Sequence, residues 1–230
     1  MNQQVFGSSR FIVLTGNYGS GKTEIALNLS LGYTRDGQKT TLVDLDIVNP
    51  YFRSGEKKAE MEQAGIRMLM PTYALTTVDI PALPAEIQSV FEMPSDRVVF
   101  DVGGDDTGAA ALGRYHPAFD ARKENVQMAL VVNCMRPLTQ NEDDIIDLAE
   151  RISRRSRMRV DMLINNTNLA DSTIPEMVES GERIVRSCAK RMGIPSVVTA
   201  AKPEILEQIM TELPCIPVRR YMAPEWMEDL

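Results

Sequence analysis

Gly16-Asn17-Tyr18-Gly19-Ser20-Gly21-Lys22-Thr23 is the stretch that decides the fold. It follows an apolar run, Phe11-Ile12-Val13-Leu14, and precedes a helical pattern from Glu24 to Tyr33. Strand, glycine-rich loop and helix, in that order, are the context of a phosphate-binding loop. Such a loop wraps its backbone N–H groups around an anion, and glycine permits the curvature and the close approach. The helix behind it aims its N-terminus, with its partial positive charge, at the same point. In this reading Gly16, Asn17, Tyr18, Gly19, Ser20 and Gly21 form the cradle. Lys22 reaches the β- and γ-phosphates, and the Thr23 hydroxyl holds Mg²⁺.

Outward from the loop, apolar runs alternate with amphipathic stretches. Strands are expected at 10–15, 39–45, 66–70, 96–101, 126–132, 158–164 and 195–200. Helices are expected at 22–36, 54–64, 80–91, 138–155, 172–192 and 202–211. Arg97-Val98-Val99-Phe100, Met128 to Val132 and Met162-Leu163-Ile164 read as buried strands, apolar on both faces. The alternation implies an α/β fold: a single domain, 1–212, with a mostly parallel sheet of about seven strands and helices on both faces. Residues 213–230, with Pro214, Pro217, Pro224 and Trp226, read as an extended tail packed on that domain or on a partner.

Ligands of such sheets bind at the carboxyl ends of the strands, so the residues leaving each strand carry the chemistry. The second strand gives Asp44-Leu45-Asp46, two carboxylates on one side of an extended chain. They are placed to hold Mg²⁺ through water or to orient an attacking water. Asn49-Pro50-Tyr51-Phe52 then puts aromatics on a loop, as in a segment that packs against something in one state. The fourth strand gives Asp101-Val102-Gly103-Gly104-Asp105, which fits a Walker B aspartate followed by a switch loop. Asp101 would serve the Mg²⁺ shell. The Gly104 N–H would bond the γ-phosphate and sense its presence. Asp105 is placed to orient or deprotonate the attacking water. The sixth strand ends in Asn165-Asn166-Thr167-Asn168. Asn165 and Asn166 can donate to and accept from a base edge, or simply cap a turn. Guanine-specific NTPases often carry Asn-Lys-x-Asp there. Neither that lysine nor that aspartate is present, which favours adenine.

The net charge of −7 and a pI near 4.9 argue against a nucleic-acid partner, which usually leaves a basic surplus. Arg151, Arg154, Arg155, Arg157 and Arg159 form one basic run where a helix should end. There they complement the helix dipole or dock an acidic partner. No stretch approaches the ~18 apolar residues of a transmembrane segment. Met1 to Arg10 lacks the apolar region of a signal peptide, so the expected location is cytoplasmic. Cys134, Cys188 and Cys215 are scattered and form neither a disulfide framework nor a CxxC pair.

These motifs, in this order, resemble the MinD/ParA/CobQ group of P-loop NTPases within the wider SIMIBI class. That class includes the nitrogenase iron protein, the arsenite-pump ATPase and the nickel-insertion GTPases. The resemblance spans roughly residues 10–211. It implies a Walker B strand beside the P-loop strand, a nucleotide-dependent homodimer, and slow ATP hydrolysis that drives exchange of a protein partner. It also places Lys22 and Thr23 on phosphate and Mg²⁺, Asp46 in switch I, and Asp101 to Gly104 at the start of switch II. Two departures stand out. The group's signature lysine directly follows the first glycine, and here that place is Asn17. Asparagine brings no charge to stabilise negative charge developing on the phosphates. The iron protein's cluster cysteine has no counterpart between Asp105 and Ala111.

The expectation is therefore a Mg²⁺-dependent ATP-binding protein, a slow ATPase that acts as a switch or as a maturation or metal-insertion assistant. Its catalytic set would be Lys22, Asp46 and Asp105. One alternative is an ATP-dependent small-molecule kinase or ligase, with Tyr51, Arg53, Arg114 and His116 lining a substrate pocket. Another is a nucleotide-binding regulator that does not hydrolyse.

Overall fold

The apolar runs assemble, in a computed structural model, into one sheet of eight strands with helices packed on both faces. The structure describes residues 5–46, 58–70, 85–104 and 106–221. β1 (Phe11–Thr15) leads through the glycine loop into α1 (Lys22–Arg35), and β2 (Thr40–Leu45) follows. Next come α2 (Lys58–Gln63), β3 (Arg67–Leu69), α3 (Ala85–Ser89) and β4 (Arg97–Val102). α4 (Asp106–Arg114) and α5 (His116–Asp120) precede β5 (Val126–Val132). The second half comprises α6 (Glu142–Ser156), β6 (Met162–Asn165), α7 (Pro175–Met192), β7 (Ser196–Ala201), α8 (Pro203–Leu206) and β8 (Cys215–Pro217).

The strand order is β3-β2-β4-β1-β5-β6-β7-β8, and all seven pairings are parallel. β4 therefore lies beside β1, with Asp101 opposite Leu14 on one side and Asp44 on the other. The chain leaves β1 between β4 and β5. That is the place where an open parallel sheet forms its ligand crevice.

Alternation along β1 divides the core. Phe11 and Val13 face one side, where Ile145, Leu148 and Ile152 of α6 and Val185 of α7 cover them. Phe91 and Phe119 meet there edge to face at 4.9 Å. Ile12 and Leu14 face the other side, under Ile25 and Leu29 of α1. Burying each such side chain contributes ~1.5–3 kcal/mol, so α1 is clamped to the sheet and its N-terminus is fixed at the strand ends.

All seven expected strands are present. The sheet also takes in Cys215–Pro217, which the sequence reading left in the tail; β8 pairs with β7 through Thr199 and Cys215. Of the helices expected at 54–64 and 80–91, α2 and α3 are described; 54–57 and 80–84 lie outside the described residues, and 64 and 90–91 are turns. The helix expected at 202–211 stops at Leu206. Asn49-Pro50-Tyr51-Phe52 and residues 222–230 also lie outside the described residues. No helix among the described residues is long and apolar enough to cross a membrane.

Candidate functional site

The glycine loop closes on itself before α1 begins. The Ser20 N–H donates to the Asn17 carbonyl at 3.2 Å, and the Asn17 side chain accepts the Tyr18 N–H at 2.9 Å. Asn17 thus spends its side-chain oxygen on its own turn. Gly21 caps α1 with φ +86°, a backbone state costly for any side chain. A Cβ there would also lie 2.3 Å from Asn166 Nδ2. Lys22 is 7% exposed, and its ammonium donates to the Asn17 carbonyl at 3.0 Å. The lysine is therefore folded over the loop, within reach of whatever the loop holds.

Beneath the loop, Thr23 Oγ1 donates to Asp101 Oδ2 at 2.6 Å. Asp101 is buried, and its Oδ1 has no hydrogen-bond partner among the described residues. Burial pushes the Asp101 carboxyl up to about 6, against the pull of Lys22 and the Thr23 bond and with a push from Asp46. A threonine hydroxyl bonded to a buried carboxylate with one unsatisfied oxygen is a donor set that suits a hard divalent cation with its waters.

The two aspartates of β2 separate. Asp44 is buried and accepts the Asp46 N–H through Oδ1 at 2.8 Å, which fixes the turn at the strand end. Asp46 reaches the cavity in front of the loop and Asp44 does not. The segment leaving β4 packs on both neighbours. A Cβ at Gly103 would lie 3.1 Å from Asp46 Oδ1, and one at Gly104 would lie 2.6 Å from the Tyr18 nitrogen. Gly104 is thus packed against the backbone of the glycine loop. Asp105 lies outside the described residues.

The expectation that Asn165 touches a base is not met. Asn165 is fully buried, donates to the Val178 carbonyl at 3.0 Å and accepts from Thr167 Oγ1 at 2.7 Å. Asn166 does line the cavity, and its amide donates to the Ser20 carbonyl at 2.7 Å. It ties the end of β6 to the glycine loop. Strand alternation explains the difference, because consecutive residues point to opposite faces.

The cavity has a volume of about 410 Å³ and runs from Lys22 and Thr23, past Asn166 and Asn168, to Lys202 and Arg220. A volume of this size falls in the range of small-molecule sites. Two of its residues, Arg136 and Arg220, were not read from the sequence as part of it. Arg136, on the loop after β5, lines it and donates from Nε to the Gly19 carbonyl at 3.2 Å. Lys202 and Arg220 grip Asp171 between them, at 2.6 Å on Oδ1 and 3.1 Å on Oδ2. Hydrogen bonding to Lys202 holds the Asp171 carboxyl below its ordinary range.

His116 belongs elsewhere. It lines a second cavity, of about 260 Å³, with Val126 and Asp161 at the amino ends of β5 and β6. That is the opposite end of the sheet from the glycine loop, and Arg114, ending α4, does not line the larger cavity. Tyr51 and Arg53 lie outside the described residues. The substrate pocket expected from these four residues is therefore not assembled by Arg114 and His116. Cys134 and Cys188 are buried thiols, and Cys215 is half-buried.

No protein-family model matches the chain, and no curated protein matches it. Solved structures do match. The cell division protein FtsY from Thermotoga maritima superposes with a TM-score of 0.53 at 17% identity, over 85% of this chain and 63% of its own. Signal recognition particle 54 kDa protein from Aeropyrum pernix K1, solved in complex with GDP, gives 0.55 at 23% identity, over 86% of this chain and 43% of its own. A nucleotide-binding protein from Archaeoglobus fulgidus, in complex with ADP, gives 0.52 at 16% identity, over 87% of this chain and 84% of its own. The chain thus spans less than two thirds of the first two. The likeness is one of fold: the chain has an α/β fold of the P-loop NTPase type.

Proposed function

We propose that the protein binds a nucleoside triphosphate with Mg²⁺, prefers adenine, and works as a slow nucleotide-dependent switch of the MinD/ParA kind. The Thr23–Asp101 pair carries this reading. At 2.6 Å, with the aspartate buried and directly under a lysine-bearing glycine loop, it is a prearranged place for a cation beside phosphates. Thr23 and Asp101 would hold the Mg²⁺, which when bound offsets the negative charge of the phosphates. The loop N–H groups and the N-terminus of α1 hold the phosphate oxygens. Lys22 exchanges the Asn17 carbonyl for one of them.

Asp46 stands at the mouth of the cavity, where a carboxylate orients an attacking water. Asp105, next in sequence to Gly104, shares that role. Gly104 is packed against the loop, so contact of its N–H with a γ-phosphate would register whether that group is present. Loss of the γ-phosphate frees the segment after β4 and changes affinity for a partner, either a second copy or another protein. The preference for adenine rests on Asn165-Asn166-Thr167-Asn168, which lacks the lysine and the aspartate that guanine-specific NTPases often carry there.

Phosphate release and light scattering, followed together on purified protein with Mg²⁺ and ATP, test this reading. Slow release with no added substrate, and a change of size only with the triphosphate, are expected. Lys22→Ala removes a charge-assisted contact worth ~1.5–3 kcal/mol, or about 10- to 150-fold in affinity. Turnover only when a second substrate is supplied would contradict the switch and point to a kinase or ligase.

A further inference from the structure

We propose that Arg136 is a second phosphate-binding cation of this site, presented in cis by the loop after β5. The inference rests on the nucleotide reading above. The Arg136 Nε donates to the Gly19 carbonyl at 3.2 Å. A Cβ at Gly19 would meet Arg136 Nε at 3.1 Å and Cζ at 3.3 Å, so the guanidinium lies directly on the glycine. It thus leans on the middle of the phosphate cradle and lines the cavity in front of it.

Four cations line that cavity: Lys22, Arg136, Lys202 and Arg220. Lys202 and Arg220 are committed to Asp171 at the far end. Arg136 has no carboxylate partner among the described residues, and only its Nε is engaged. In a chain of net charge −7, an arginine left without an acid beside an anion cradle is poised for an anion. Its planar fork suits two phosphate oxygens at once. Asn17, the residue after the first glycine, is an uncharged amide, and its side chain closes its own turn. Arg136 brings one to the same loop from outside.

The arm that carries Arg136 is braced. The Arg136 N–H donates to the Asn133 carbonyl, and the Thr139 N–H donates to the Arg136 carbonyl, both at 3.0 Å. Thr139 Oγ1 donates to the Asn133 carbonyl at 2.7 Å. The buried Asn133 accepts the Asn168 N–H at 3.2 Å and donates to the Asn168 carbonyl at 3.1 Å. Asn168 donates to the Asn166 carbonyl, and Asn166 donates to the Ser20 carbonyl, both at 2.7 Å. One hydrogen-bonded chain thus joins the arginine arm, the end of β6 and the glycine loop. A cation carried on a braced backbone and already resting on the loop needs little reorganisation when phosphate arrives.

Fluorescence titrations with AMP, ADP and a non-hydrolysable ATP analogue, all with Mg²⁺, test the assignment on wild type, Arg136→Gln and Arg136→Lys. Arg136→Gln should weaken the triphosphate analogue about 10- to 100-fold and ADP less. AMP should be unchanged, and Arg136→Lys should recover part of the loss. Equal weakening of all three would make Arg136 only a prop for Gly19 and overturn the proposal. So would wild-type affinities in Arg136→Gln while Lys22→Ala abolishes binding, and in that case the nucleotide reading stands. Wild-type protein that binds none of the three would remove both.

Discussion

Replacing Asp101 by asparagine removes a buried charge and keeps an acceptor for Thr23. Asp101 is 2% exposed, and burial raises its pKa from 3.8 to about 6, net of Lys22 and the Thr23 bond pulling it down. A carboxyl with a folded pKa above its unfolded one favours its protonated form in the fold. Its ionisation therefore costs nothing below the unfolded value, costs more as pH rises through about 6, and costs a constant amount above that. The gap between 3.8 and about 6 amounts to ~3 kcal/mol at pH 8 and about 1 kcal/mol at pH 4.5. Asp101→Asn should then raise the melting temperature, in chelator and without nucleotide, by ~6–12 °C at pH 8 and ~2–4 °C at pH 4.5. Differential scanning fluorimetry across that range reads the difference. A gain independent of pH, or no gain at pH 8, would refute the placement of a strained carboxylate under the loop. The same variant should lose the Mg²⁺ dependence of nucleotide binding.

Gly21→Ala combines φ +86° with a Cβ 2.3 Å from Asn166, so it should cost ~1–3 kcal/mol in denaturant unfolding and lose nucleotide binding. Asn166→Ala removes the bond to Ser20 and should weaken nucleotide binding about 2- to 13-fold, measured by calorimetry. Gly104→Ala, with a Cβ 2.6 Å from the Tyr18 nitrogen, should weaken the triphosphate more than the diphosphate. The Cys188 thiol, pushed up to about 12 by burial, should react with a thiol reagent at pH 8 only after unfolding.

The sheet was legible because its strands are apolar on both faces, and only burial between two helix layers produces runs such as Met128 to Val132. β8 was hidden by its length, three residues ending in Pro217. α4 and α5 were missed because Gly108, Gly113 and Pro117 break the helical pattern across 106–120. The glycine loop, Thr23 and Asp101 were legible as motifs of local spacing. Arg136 was not, since it lies 117 residues from the Gly19 it touches. The placement of β5 directly beside β1 was the signal that would have found it, because the loop after β5 must then border the glycine loop. Asn165 was misread because one residue of strand register decides between the core and the cavity.

Equilibrium binding of ATP and of GTP, each with Mg²⁺ and with chelator, tests the central claim most directly. Tight binding of ATP that weakens in chelator, with GTP weaker, is the predicted result. Binding of neither nucleotide at millimolar concentration would contradict the account. So would binding indifferent to Mg²⁺, because Thr23 and Asp101 would then have no cation to hold.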